Sequence, residues 1–235
     1  DVAVGAGAES MSRGAYLSTS NRWGARMGDV KMLDYMLGAL HDPRLHIHMG
    51  ITSENVAARY EITREQQDAY AVQSQQRAAK AVAAGIFKDQ IVPVEIKTRK
   101  GVVLFDTDEG VKADTTVDAL GKMKPAFKKE DGTVTAGNAS TLNDGAGAVV
   151  MASSEKAKEL GLKPLARLVS YGHAGVEPEY MGIGPVPASR NALAKAGLTV
   201  ADMDLIEANE AFAAQACAVA KELGLDNEKV NPNGS

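Results

Sequence analysis

The sequence predicts an α/β fold in which strands and helices are layered on one another, and three observations carry that expectation. Short apolar runs bounded by glycine alternate with helical stretches along the chain. From residue 164 onward the order reads strand, helix, strand, helix, the succession that favours a largely parallel sheet. The chain is also long enough, at 235 residues and 45% hydrophobic, to bury a sizeable core in one large domain or two smaller ones. Residues 12 to 142 interrupt the pattern in the manner of an insertion.

Val2 to Ala8 is a buried-strand candidate that turns polar at Glu9-Ser10-Met11-Ser12. Residues 12 to 62 read as irregular, with scattered Gly, Asp and Asn. Thr63 followed by Gln66 has the spacing of a capping box, and Gln67 to Ala84 then reads as a long helix stopped near Gly85. Ile91 to Ile96 and Val102 to Phe105 flank Lys97-Thr98-Arg99-Lys100-Gly101, which predicts a hairpin with a positive tip suited to phosphate. Thr133 to Thr135 is short and β-branched, Ala146 to Ala152 is apolar, and Ser154 to Leu160 is helical with Gly161 as its stop. Leu165 to Tyr171 predicts a strand, Ala188 to Ala196 a helix ending at Gly197, Leu205 to Glu207 a short strand, and Glu210 to Leu223 a helix ending at Gly224.

Composition narrows the function. A formal charge of −4 gives no basic excess of the kind nucleic-acid binding needs. One cysteine makes an internal disulfide impossible, and neither a signal segment nor a long apolar run is present, so a reducing cytosolic or organellar interior is expected, cytoplasmic first, with no membrane span. Both ends read as interior sequence: Asp1 opens on an apolar strand, and Asn231-Pro-Asn-Gly-Ser235 is turn-type sequence. Residues are therefore expected on either side.

Asn209 falls where a strand hands over to a helix, so it reads either as a simple N-cap or as a carboxamide able to donate to a water or an oxyanion beside a positive helix end. Thr135-Ala-Gly-Asn-Ala-Ser140 and Asn143-Asp-Gly-Ala-Gly147 pack small residues that let backbone approach a ligand, a composition that also makes ordinary tight turns. Three of the four histidines, His41, His46 and His48, lie close in sequence, but no companion cysteine or carboxylate pattern accompanies them, which argues against zinc. Cys217 sits among Ala214, Ala216, Ala218 and Val219, where a thiol packs well and is poorly activated.

Taken together, the segments Gly7-Ala-Glu-Ser-Met-Ser12, His48-Met-Gly50, Ser53-Glu-Asn-Val56, Phe87-Lys-Asp-Gln-Ile-Val-Pro93, Gly132-Thr-Val-Thr-Ala-Gly-Asn-Ala-Ser140, Asn143-Asp-Gly145, Met181-Gly-Ile-Gly-Pro-Val-Pro187 and Asn209-Glu-Ala-Phe-Ala213 resemble the thiolase family in family order. The likeness runs along nearly the whole chain. His48-Met49 is similar to the short-chain, acetoacetyl-CoA type, which includes enzymes feeding polyhydroxyalkanoate synthesis. The resemblance implies two similar α/β halves, each a five-stranded mixed sheet with helices on both sides, and an inserted loop domain that holds coenzyme A. On that basis residues 1–11 and 143–163 belong to the first half, 12–142 form the loop domain, and 164–235 begin the second half, so the chain is an incomplete copy of the fold.

The same resemblance implies an acyltransferase that condenses two acetyl-CoA to acetoacetyl-CoA, or cleaves short 3-ketoacyl-CoA, with coenzyme A as substrate or product and no permanently bound cofactor. Asn209 resembles the family asparagine that fixes the oxyanion-hole water, a type of preorganised donor that carries much of such catalysis. Met181, Ala211 and Phe212 resemble wall residues near the reacting acyl group. Leu40, His48, Met49, Phe127, Ala136 and Ser140 resemble the lining of the pantetheine path. Lys112 stands where relatives often place an arginine at the nucleotide end, without that residue's bidentate fork, and Ala119 stands where a contacting serine can occur.

The family's nucleophilic cysteine, its Gly-His-Pro histidine and its second cysteine have no counterpart in the 235 residues, and Cys217 matches a non-catalytic position, so this stretch alone is expected to be inactive and poorly folded. The resemblance further implies a homo-oligomer, a tetramer or else a dimer, with contacts sought at 29–37. Two alternatives stand beside it: a ketoacyl synthase, which would lack the His48-Met49 signature, and a non-catalytic CoA-binding or assembly module.

Overall fold

The computed structural model describes residues 1–235. Strand β1 (Val2–Ser10) pairs antiparallel with β6 (Asp144–Ala152), in continuous register from Val2 opposite Ala152 to Ser10 opposite Asp144. Between them the chain makes a long excursion. Its first part holds β2 (Tyr16–Ser18), β3 (Met32–Asp34) and the short helix α1 (Tyr35–Ala39), with β2 and β3 antiparallel. Helices α2 (Met49–Arg59) and α3 (Arg64–Ala83) follow, then the hairpin β4 (Val94–Thr98) and β5 (Gly101–Phe105), then α4 (Val117–Gly121). After β6 come α5 (Ser154–Glu159), a 3-10 segment at Pro178–Ile183, α6 (Pro185–Ala196) and α7 (Ala213–Leu223).

The helices begin and end where local chemistry dictates. The capping box at α3 forms as its spacing predicts: Thr63 Oγ1 accepts from the Gln66 amide, and the Gln66 side chain accepts from the Thr63 amide. Helices α6 and α7 stop at Gly197 and Gly224, both left-handed, which spares a Cβ the steric penalty of that conformation. The hairpin also forms, with its first strand at Val94–Thr98 instead of Ile91 to Ile96, so that the positive tip narrows to Arg99-Lys100 with Gly101 at φ +126°.

All three strand ladders lie within residues 2–152 and are antiparallel; from residue 164 onward, where a largely parallel sheet is expected, no ladder forms, and the one bridge within that stretch, Ile206 with Val230, is parallel. Leu165 to Tyr171 is not a strand; no segment lies alongside to complete its backbone hydrogen bonds, and Leu165 is 101% exposed. The stretch 12–62, read as irregular, contains α2, whose polar residues Thr52, Ser53 and Glu54 are buried and break the amphipathic pattern that would have revealed it.

The core lies in the helical layer. Val56, Ile62, Ile183, Val186, Ala218 and Val219 form one buried cluster where α2, α6, α7 and the 3-10 segment meet. Small residues on α7 permit that closeness: Ala213, Ala214, Ala216 and Ala218 are all buried, and α7 packs on both α2 and α3. Only 27 of 235 residues are buried, which leaves β1 and β6 almost entirely exposed, with Val4 at 68% and Val150 at 71%.

Candidate active site

A cleft of about 1140 Å³ opens between α1, the start of α2, and the segments around residues 140, 181 and 209. Leu40, His48, Met49, Phe127, Ser140, Met181, Asn209, Ala211 and Phe212 all line it. A second cleft of about 1270 Å³ adjoins along 139–142 and Asn209. Lys112 and Ala136 line neither, although Val111 borders the second; the Lys112 amide donates to Gln75 Oε1 at 2.7 Å, which ties this loop to α3.

His48 caps α2, its Nδ1 accepting from the Gly50 amide at 2.9 Å, which requires the neutral ring with its proton on Nε2. The ring stacks on Phe127, with centroids 4.7 Å apart, and Phe127 in turn meets Phe212 edge-on at 6.2 Å. His41 approaches His48 in T-shaped geometry, and the two residues form an antiparallel bridge. Burial, reinforced by the His41 ring, lowers the His48 pKa and favours the neutral form that the cap needs. Gly50 makes the stack possible, since a Cβ there would run into the Phe127 ring.

The opposite wall is held by backbone pairing. Ala139 and Phe212 form a bridge, the Ser140 amide donates to the Ala211 carbonyl and the Ala213 amide to that of Asn138, each at 2.9 Å. These bonds hold Phe212 extended, so α7 begins only at Ala213, with Phe212 as its N-cap residue. Asn209 therefore does not cap the helix, contrary to its placement from sequence; it is exposed and lines both clefts.

Buried polar groups that carry no local sequence signal fix these loops. Asn138 accepts from the Thr135 amide at 2.8 Å and donates to Asp68 at 2.9 Å, while Asp68 pairs with Arg64 at 2.7 Å. Glu54 accepts from the amides of Thr133 and Val134 and from the Thr133 hydroxyl, all at 2.9 Å. Asn138 and Glu54 fall inside motifs noted above, but which partner each would meet depends on residues about 70 to 80 positions away. Cys217 is partly buried, its thiol pushed up to about 11 by burial and the Glu210 carboxylate, which makes it a poor nucleophile.

Residues 1–155 match the family described as thiolase, N-terminal domain, and residues 162–235 match thiolase, C-terminal domain. The chain belongs to the thiolase family. It is 66% identical over its whole length to the beta-ketothiolase BktB of Cupriavidus necator, covering 60% of that protein, and 58% identical to the acetyl-CoA acetyltransferase of Chromobacterium violaceum, again covering 60%. Among solved thiolases, the acetyl-CoA acetyltransferase of Bacillus anthracis superposes with a TM-score of 0.95 at 54% identity, over all of this chain and 59% of the other. Human mitochondrial 3-ketoacyl-CoA thiolase in complex with CoA superposes at 0.94 and 47% identity, over all of this chain and 58% of that one. The fold is thus the α/β thiolase fold, of which these residues are an incomplete copy, spanning about 60% of the curated relatives' length. No helix is long and apolar enough to cross a membrane, and no group of three or more His, Cys, Asp or Glu side chains comes together to hold a metal.

Proposed function

We propose that these residues are the central part of an acetyl-CoA C-acetyltransferase, which condenses two acetyl-CoA to acetoacetyl-CoA or cleaves short 3-ketoacyl-CoA with coenzyme A. The observation that carries this reading is the convergence of Asn209, His48, Met49, Phe127 and Phe212 on one cleft in a thiolase fold. Asn209 supplies an exposed carboxamide that can hold a water against the thioester oxygen, and the His48–Phe127 stack presents an apolar flank to the pantetheine chain. Met181, Ala211 and Phe212 bound the acyl end and Leu40 and Ser140 border the pantetheine path, all within the cleft; Ala136 and Lys112, which lie outside it, are assigned to the pantetheine path and the nucleotide end on their motif positions alone, Lys112 as a point charge.

In this reading 1–11 and 143–163 belong to the first α/β half, 12–142 to the CoA-binding loop domain and 164–235 to the second half. The assembly is a cytoplasmic homo-oligomer, a tetramer ahead of a dimer. Exposed apolar side chains at 29–37, among them Met32 at 51% and Leu37 at 52%, support contacts there. The test is acetoacetyl-CoA thiolysis by the whole protein. Asn209→Ala is expected to lower kcat about 100-fold with a small change in KM, and an unchanged kcat would overturn the role of Asn209. The 235-residue stretch, whose one thiol is the unactivated Cys217, is expected to show no turnover. A CoA-binding module without catalysis would instead bind acetoacetyl-CoA in the whole protein and leave it intact.

A further inference from the structure

We infer that Asn231 is a positioning residue for Asn209, clamping both of its chain neighbours with a single side chain. Its Oδ1 accepts from the Ala208 amide at 2.8 Å, and its Nδ2 donates to the Ala208 carbonyl at 2.7 Å. The carboxamide therefore pairs with Ala208 as a neighbouring strand's peptide group would. The same Nδ2 donates its second hydrogen to Glu210 Oε1 at 2.7 Å, so the residue after Asn209 is held as well. An amide nitrogen has two hydrogens, and both are used.

Asn231 is itself fixed. It is 2% exposed, its amide donates to the Ile206 carbonyl at 2.9 Å, and its φ of +44° is a conformation that Asn tolerates better than most residues. Arg77 of α3 donates to the Val230 carbonyl at 2.6 Å and the Asn227 carbonyl at 3.0 Å, anchoring the segment that carries Asn231. On the other side Glu210 accepts from the Tyr70 hydroxyl at 3.1 Å, which ties the clamp to α3 a second time. Asn209 is left exposed in the cleft between two immobilised neighbours, the arrangement that preorganises a donor without burying it.

The inference rests on the proposed role of Asn209, and a double-mutant cycle in the whole protein separates the two. Asn231→Gly accepts the positive φ and removes the clamp, and it is expected to lower kcat for acetoacetyl-CoA cleavage by about 10- to 100-fold with KM nearly unchanged. In an Asn209→Ala background the same substitution is expected to cost little more, because the group it positions is already gone. Asn231→Asp keeps the Ala208 amide bond but sets a carboxylate against Glu210, and Glu210→Gln in that background is expected to restore part of kcat. If Asn231→Gly does not fold, the Asn231→Asp pair is read in the same cycle. Full additivity with Asn209→Ala, or a loss confined to KM, overturns the clamp while leaving Asn209 catalytic. An Asn209→Ala protein with undiminished kcat overturns both.

Discussion

At the scale of single residues, His48 shows how a fold selects a protonation state. Its Nδ1 must stay unprotonated to cap α2, and burial together with His41 lowers its pKa below the ordinary 6.5. Below that ordinary value the unfolded chain takes up a proton that the folded ring refuses, so this contribution to stability is full above it and falls as pH drops toward the lowered folded pKa. His48→Asn keeps an N-cap and does not titrate. Thermal melts of the whole protein between about pH 7 and pH 5 are expected to show a shallower decline in the variant than in the parent. Gly50→Ala is expected to be worse than His48→Asn, since its methyl group would enter the Phe127 ring; a destabilisation of about 1 to 3 kcal/mol, read from denaturant unfolding, follows from overpacking of this kind. Cys217, with its thiol raised to about 11, is expected to resist alkylation by iodoacetamide at neutral pH until the protein is unfolded.

At the scale of elements, α2 and α3 are the scaffold on which the cleft loops hang. Glu54, buried within α2, accepts three donors from Thr133 and Val134. Truncating it leaves those amides without partners in a dry site, so Glu54→Ala is expected to cost about 2 to 3 kcal/mol in unfolding free energy. Removing the Thr63 hydroxyl from the capping box of α3 costs less, about 1 kcal/mol for Thr63→Ala. The difference follows from exposure, because water can replace a lost cap at an exposed helix end but not a lost carboxylate in the interior. The capping box was readable from Thr63 and Gln66 alone because the interaction spans three residues. The role of Glu54 was not, because its partners lie 79 and 80 positions away.

At the scale of the whole molecule, the helical layer is packed and the β1–β6 ladder is bare on both faces. Two-stranded ladders with exposed apolar faces are marginal in water. The 235 residues alone are accordingly expected to bind a hydrophobic dye and to melt over a broad range. A sharp, dye-free transition would show that the helical layer suffices by itself.

What local chemistry decides is legible in the residues alone: the helix stops at Gly197 and Gly224, the box at Thr63, the basic hairpin, and the ordered motifs that resemble thiolases. Tertiary structure decided what depends on a distant partner. Leu165 to Tyr171 has the composition of a strand but no neighbour to pair with, and Asn209 has the residue type of a cap but is displaced by the pairing of Phe212 with Ala139. Asn231 reads as part of a turn and becomes a buried clamp only when Arg77 and Ile206 bring it beside Ala208. Hydrogen bonds within a few residues can be inferred from spacing, whereas those closed over long loops follow from packing, which no local pattern encodes.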